Sequence, residues 1–173
     1  GVLPLKPGRK ILVVGEFAMT PRYQGGGSSH INTTTVDSPW EYLCKAVGFQ
    51  ENISYSKGFS VKGGGIIAER EEALCMAENA DIVVVFAGLP ESFESEGYDR
   101  THMRLPEEQN ELIQMLAQAG HDVVVVLQNG APVEMPWIQQ VKAVLEAYLG
   151  GEAVGSALAD ILTGKVNPSG HLA

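Results

Sequence analysis

The segment Gly88-Leu-Pro-Glu-Ser-Phe-Glu-Ser-Glu-Gly-Tyr-Asp-Arg100 sets four carboxylates, Glu91, Glu94, Glu96 and Asp99, within nine residues and ends them on one arginine. Carboxylates this crowded raise one another's pKa, so one of them can hold a proton near neutrality and serve as a general acid. Arg100 can neutralise only one of the four. A structural ion pair between Asp99 and Arg100 that fixes the loop is the expected use of those two residues. The competing reading is a solvated acidic loop, since most charge runs are wet surface.

The elements that would position this loop alternate along the chain. Asp81-Ile-Val-Val-Val-Phe-Ala-Gly88 is a continuous run rich in β-branched residues, the pattern of a strand buried on both faces. The acidic loop leaves its C-terminal end, the rim at which open α/β sheets bind ligands. Further strands are predicted over 10–15, 52–56 and 123–127. Helices are predicted from Ser38 to Val47, around Ile66 to Asn79, from Pro106 to Ala119 and from Ala153 to Leu162. Ser38 suits an N-cap, Pro39 a first helical position, and Gly48 and Gly120 the stops. Val141 to Leu149 is ambiguous, because its composition favours a helix while its length and position favour a strand. Strands and helices alternating at these lengths imply one α/β domain over 1–173, a flavodoxin-like, mostly parallel sheet with helices on both faces.

The run Gly25-Gly-Gly-Ser-Ser29 follows the first strand, as phosphate-binding turns do. It has neither Gly-x-Gly-x-x-Gly nor Gly-Lys-Ser/Thr, and no helix begins directly after it, so a nucleotide cradle is not expected. Nor does it offer the phosphate-binding turn of a flavin protein, and no cofactor is expected. The glycines read instead as residues that permit unusual backbone dihedrals in a long loop from Thr20 to Thr35. Trp40 is expected in the core, and Trp137 and Pro136 are expected as core and turn residues rather than a ligand-stacking platform.

Four motifs in order resemble the second, α/β sandwich domain of glycoside hydrolase family 3. They are Thr20-Pro-Arg-Tyr-Gln-Gly-Gly-Gly-Ser-Ser-His-Ile-Asn32, Glu94-Ser-Glu-Gly-Tyr-Asp-Arg100 with Leu105-Pro-Glu-Glu-Gln109, Gln128-Asn-Gly-Ala-Pro-Val-Glu-Met-Pro-Trp137, and Gly164-Lys-Val-Asn-Pro-Ser-Gly170. The resemblance implies a retaining, exo-acting, β-glucosidase-like glycosidase with two carboxylates about 5–5.5 Å apart. It implies that the nucleophilic aspartate lies on a preceding barrel domain absent from this chain, and that the acid/base comes from the acidic loop. Glu96, directly before Gly97-Tyr98, is then the expected acid/base, with Glu94 as the alternative and Glu91 as surface. The loop carrying Arg22, Gln24, Ser29 and His30 is implied to face the barrel near the sugar and to contribute hydrogen bonds. The resemblance also decides for a strand within Val141 to Leu149. The implied partners are a β-linked glucoside or oligosaccharide and the missing barrel. Relatives usually carry lysine where this chain has His171 and continue further, so the chain reads as an excised piece that can homo-oligomerise through uncovered apolar surface. The alternative is a stand-alone flavodoxin-like or sugar-binding module without catalysis.

A net charge of -9 argues against nucleic acid and against a polybasic membrane contact. No apolar run approaches a membrane span and no signal-peptide pattern opens the chain. Hydrophobic residues at 45% and charged residues at 19% are ordinary for a globular domain. Cys44 and Cys75 are expected as buried free thiols, which points to a reducing, cytoplasmic setting. His30, His102, His121 and His171 show no metal-ligand spacing, and no metal site is expected.

Overall fold

The computed structural model describes residues 1–48, 50–61 and 67–172. The expected glycine run Gly63-Gly-Gly65 and the first residue of the predicted second helix, Ile66, lie outside them. The elements are β1 (Ile11–Val14), α1 (Pro39–Val47), β2 (Ile53–Ser56), α2 (Ile67–Ala77), β3 (Ile82–Gly88), α3 (Glu107–Gln118), β4 (Val123–Gln128), β5 (Ala143–Glu146) and α4 (Val154–Leu162). The strands form one sheet in the order β2-β1-β3-β4-β5. Every pairing is parallel.

Parallel strands buried on both faces must alternate side chains between two cores, and these do. Leu12, Val14, Val83, Val85, Val123 and Val125 meet Ala73 and Ala77 of α2 and Leu112, Ile113 and Leu116 of α3. Ile11, Val13, Val84, Phe86, Val124 and Val126 meet Leu43 of α1 and Val154, Leu158 and Leu162 of α4. The helices therefore cover the sheet in pairs, α2 with α3 on one face and α1 with α4 on the other. The chain leaves β1 for β2 in one direction and then returns to place β3 on the opposite side of β1. That reversal opens a crevice at the carboxyl ends of β1 and β3, the topological switch point of a doubly wound sheet.

The helix signals act as expected at α1, where the Ser38 side chain accepts from the Glu41 N–H, Pro39 occupies the first turn and Gly48 closes the helix. The 141–149 segment resolves as β5, paired from Val124↔Ala143 to Leu127↔Glu146. Its helical composition loses because pairing satisfies both its own backbone groups and the free edge of β4, which a helix would leave open. Trp137 is fully buried and its indole N–H donates to Asn110 Oδ1 at 2.8 Å.

Two expectations about the core are corrected. Trp40 packs against the α1/α4 core but is only half-buried, its ring tilted 54° against Tyr55 with centroids 5.6 Å apart, beside β2 at the end of the sheet order. Both cysteines are free, but Cys75 is exposed and Cys44 half-buried. With Ala73 and Ala77, one helical turn apart, facing the sheet, Cys75 between them is turned to the outside of α2.

Close approach of the central strands depends on Gly15, which ends β1 at φ +109. A Cβ there would stand 2.2 Å from the Phe86 carbonyl oxygen in the middle of β3. Gly15→Ala is accordingly expected to cost about 2–4 kcal/mol, through backbone overlap together with dihedral strain. The shift of the urea unfolding midpoint measures it.

Candidate acid/base site

Three loops converge at the carboxyl rim: the long loop after β1, the acidic loop after β3 and the Gln128-Asn-Gly130 turn after β4. Arg22 ties them together. Its backbone N–H donates to Gln128 Oε1 at 2.8 Å. Its guanidinium donates through Nη1 to the Leu89 carbonyl at 2.6 Å and to Glu94 Oε1 at 2.5 Å, and through Nη2 to the Glu94 carbonyl at 3.1 Å. Glu94 Oε1 also accepts the Gly130 N–H at 2.6 Å. The two side chains are only 7% and 12% exposed. Glu94 is thus spent on an inward ion pair, and Arg22 lies beneath the loops with its guanidinium engaged by protein groups.

Glu96 is placed differently. Ser95 and Tyr98 form an isolated antiparallel bridge, and Tyr98 N–H donates to the Ser95 carbonyl at 3.1 Å, so Glu96-Gly97 is the tip of a tight turn. Gly at the third position with positive φ is the pattern of a type II turn. Glu96 stands exposed at that tip, and its Oε2 accepts the Ser28 N–H at 2.7 Å. Hydrogen bonding from Ser28, its side chain first and its backbone N–H second, holds the Glu96 carboxyl below the usual carboxylate range.

The remaining predicted residues separate by position. Gln24 closes its own loop: Oε1 accepts the Ile31 N–H at 2.9 Å, while Nε2 donates to Tyr23 Oη at 2.9 Å and to the Ile31 carbonyl at 3.1 Å. Ser29 and His30 are exposed, with Ser29 Oγ donating to the Gly26 carbonyl at 3.2 Å. A cleft of 680 Å³ opens at the switch point between the β1 and β3 loops, lined among others by Phe17, Arg22, Gln24, His30, Pro90 and Glu91. The expected Asp99–Arg100 ion pair is not made. Arg100 instead donates from Nε to the His102 carbonyl at 3.2 Å and from Nη1 to the Pro132 carbonyl at 3.1 Å, which fastens the far end of the acidic loop to the segment before β5. Backbone carbonyls brought close by the fold take the guanidinium, and Asp99 stays exposed.

Sequence reasoning missed Glu146. It ends β5 half-buried, with Oε1 accepting the Tyr148 N–H at 3.0 Å and Oε2 accepting Asn129 Nδ2 at 3.3 Å. Burial pushes its carboxyl above the ordinary range and the neighbouring Glu94 charge adds to this, against the hydrogen bonds from Tyr148 and Asn129. Its signal was the Gln128-Asn129 polar pair at the carboxyl end of a buried strand, which demands polar partners at the rim. Among the described residues, no group of three or more His, Cys, Asp or Glu side chains is arranged to hold a metal ion. No helix among them is long and apolar enough to cross a membrane.

Fold and rim together define a doubly wound α/β domain whose carboxyl rim is organised around carboxylates. The chain belongs to glycoside hydrolase family 3, matching the glycosyl hydrolase family 3 C-terminal domain over residues 1–173. It is 56% identical over 173 residues to the thermostable beta-glucosidase B of Acetivibrio thermocellus, covering 99% of this chain and 23% of that protein. It is 43% identical over 183 aligned residues to an exo-alpha-(1->6)-L-arabinopyranosidase of Bifidobacterium longum, covering 99% of this chain and 24% of that protein. Among solved structures, a family 3 beta-glucosidase of Bifidobacterium adolescentis superposes with a TM-score of 0.85 at 43% identity, over 95% of this chain and 24% of that one. The chain therefore spans about a quarter of the length of these relatives.

The site generates two expectations. Arg22→Ala leaves the Glu94 carboxylate buried without its cation and is expected to cost about 3–5 kcal/mol. Lys57→Ala, which breaks the more exposed Lys57–Glu69 pair, is expected to cost under about 1 kcal/mol. Chemical unfolding of the two variants compares them directly. The second expectation concerns Glu146, whose raised pKa means that the folded state favours its proton. Its contribution is fully present below the unfolded pKa and is lost as pH rises through the folded pKa. Glu146→Gln, which removes the buried charge while keeping one of its two acceptor oxygens, should therefore stabilise the protein near neutrality, and the gain should shrink on acidification; thermal unfolding in neutral and acidic buffer measures it.

Proposed function

We propose that this chain is the C-terminal domain of a retaining, exo-acting, β-glucosidase-like hydrolase and that Glu96 is its general acid/base. The observation that carries this reading is the division of labour within the acidic loop. Glu94 is committed inward to Arg22 and Gly130, whereas Glu96 is presented to solvent at a turn tip. A proton-transfer group must reach the glycosidic oxygen, and of these two carboxylates Glu96 is the one free to do so.

In the first half-reaction Glu96 gives its proton to the glycosidic oxygen as the bond from that oxygen to the anomeric carbon breaks. A carboxylate supplied by the rest of the protein, the barrel domain implied upstream, forms the glycosyl ester. In the second half-reaction Glu96 takes a proton from water as the water oxygen bonds to the anomeric carbon and the ester leaves. The Ser28 hydrogen bonds suit the second half, because they favour the ionised form that acts as base. Protonation for the first half follows from assembly, since a nucleophilic carboxylate about 5–5.5 Å away raises the pKa of its neighbour. Arg100 supports the loop from its far end. His30 lines the cleft and offers a hydrogen bond to a sugar hydroxyl, Ser29 stands exposed beside it, and Gln24 and Arg22 hold their loop in place.

The substrate class is a β-linked glucoside or oligosaccharide. Its glycone is chosen largely outside this domain, because sequences this similar belong to relatives named for different sugars. The test uses the longer protein that carries this chain. Glu96→Gln is expected to lower turnover of an aryl β-glucoside by about 10²–10⁴-fold, and azide, which needs no base, is expected to restore it with glycosyl azide as product. Glu94→Gln is expected to lose stability without azide rescue. Rescue of Glu94→Gln rather than Glu96→Gln would transfer the role.

A further inference from the structure

The glycine run after β1 was legible only as a loop that tolerates unusual dihedrals, and the structure gives two of its glycines a specific neighbour. A Cβ on Gly27 would stand 2.5 Å from Glu96 Cβ and 2.7 Å from Glu96 Oε2, and the residue sits at φ +77. A Cβ on Gly26 would stand 2.8 Å from Glu91 Oε1 and 2.9 Å from Ser95 Oγ. Gly25 differs, since a Cβ there would first meet Ser29 Oγ, at 3.2 Å. The bare backbone at 26–27 is what lets the two loops touch. Their contact delivers the Ser28 N–H to Glu96 Oε2 at 2.7 Å. The turn itself is tied down by His30 N–H donating to the Gly27 carbonyl at 3.1 Å and by Ser29 Oγ donating to Gly26.

We propose that Gly27 and Ser28 are positioning residues for the acid/base: the side-chain-free backbone at Gly27 admits the Glu96 side chain, and the Ser28 N–H fixes where its carboxylate rests. The proposal depends on Glu96 holding the acid/base role. An exposed glutamate otherwise samples many rotamers, and proton transfer falls steeply when the donor strays from the reacting oxygen, a 1 Å displacement costing on the order of 10²-fold. The atoms that move are those of the acid step: the proton passes from the Glu96 carboxyl to the glycosidic oxygen as its bond to the anomeric carbon breaks. Mispositioning should therefore matter most where the departing oxygen is strongly basic and needs that proton. It should matter least where the departing oxygen is stable as an anion.

The experiment measures kcat/KM in the longer protein across a series of glucosides running from a dinitrophenyl to an alkyl leaving group. Wild type is compared with Gly27→Ala, Ser28→Pro, Gly25→Ala and Glu96→Gln. Ser28→Pro removes both the N–H and the hydroxyl by which Ser28 holds Glu96 and leaves position 27 without a side chain, and it carries the test if Gly27→Ala does not fold. Gly27→Ala and Ser28→Pro are expected to lose about 10–100-fold on the alkyl glucoside and under about 3-fold on the dinitrophenyl one, with Gly25→Ala close to wild type. A uniform loss across the series, or wild-type behaviour of the folded variants, would overturn the positioning role while a steep Glu96→Gln series leaves the acid/base assignment standing. A flat Glu96→Gln series would overturn both.

Discussion

The rim of this domain depends on one sequestered guanidinium. Arg22 comes from the loop after β1, yet its partners are Gln128 at the end of β4 and Leu89 and Glu94 after β3. A cation shielded from water in this way is tolerable only where anions and carbonyls surround it, and here the fold supplies both. The same constraint explains why four carboxylates can crowd one short loop. One of them is neutralised internally, one is held by Ser28, and Glu91 and Asp99 stay exposed. Coulomb repulsion within the segment is resolved by pointing its members in different directions.

The sheet order makes that meeting possible. Because β1 and β3 are neighbours and the chain reverses between them, the loops that follow them emerge side by side. Gly26 and Gly27 then remove the side chains that would hold the two loops apart. The rim is thus assembled from a parallel core that brings loops together, an ion pair that locks them, and a strip of bare backbone that lets them touch. The glycosidase reading rests on this assembly as much as on the carboxylates themselves, since an acid on an unsupported loop would transfer protons poorly.

The layers of the fold were legible because they follow from periodicity. The valine-rich runs of β3 and β4 announce strands covered on both faces, and Ser38-Pro39 and Gly48 delimit α1 by local chemistry. β5 was not legible by composition, because its hydrogen bonds belong to β4. Cys75 and Trp40 departed from expectation for a related reason: a helix face or a sheet edge is buried only if something packs there, and nothing local says whether it does.

At the site the same division holds. The residue types of the acidic loop, its place after a buried strand, and the order of its motifs were all present in the chain, and they sufficed to single out Glu94 and Glu96. Which of the two turns inward was decided by Arg22 and Gly130, which lie 72 and 36 residues away along the chain. Arg100 likewise chose the Pro132 carbonyl over its neighbour Asp99, and Glu146 acquired its raised pKa from burial beside Asn129 and Glu94. Sequence alone determined the elements and the chemistry on offer, because those depend on short-range patterning. Tertiary structure decided which carboxylate is sequestered and which is presented, because charge and burial are set by neighbours in space.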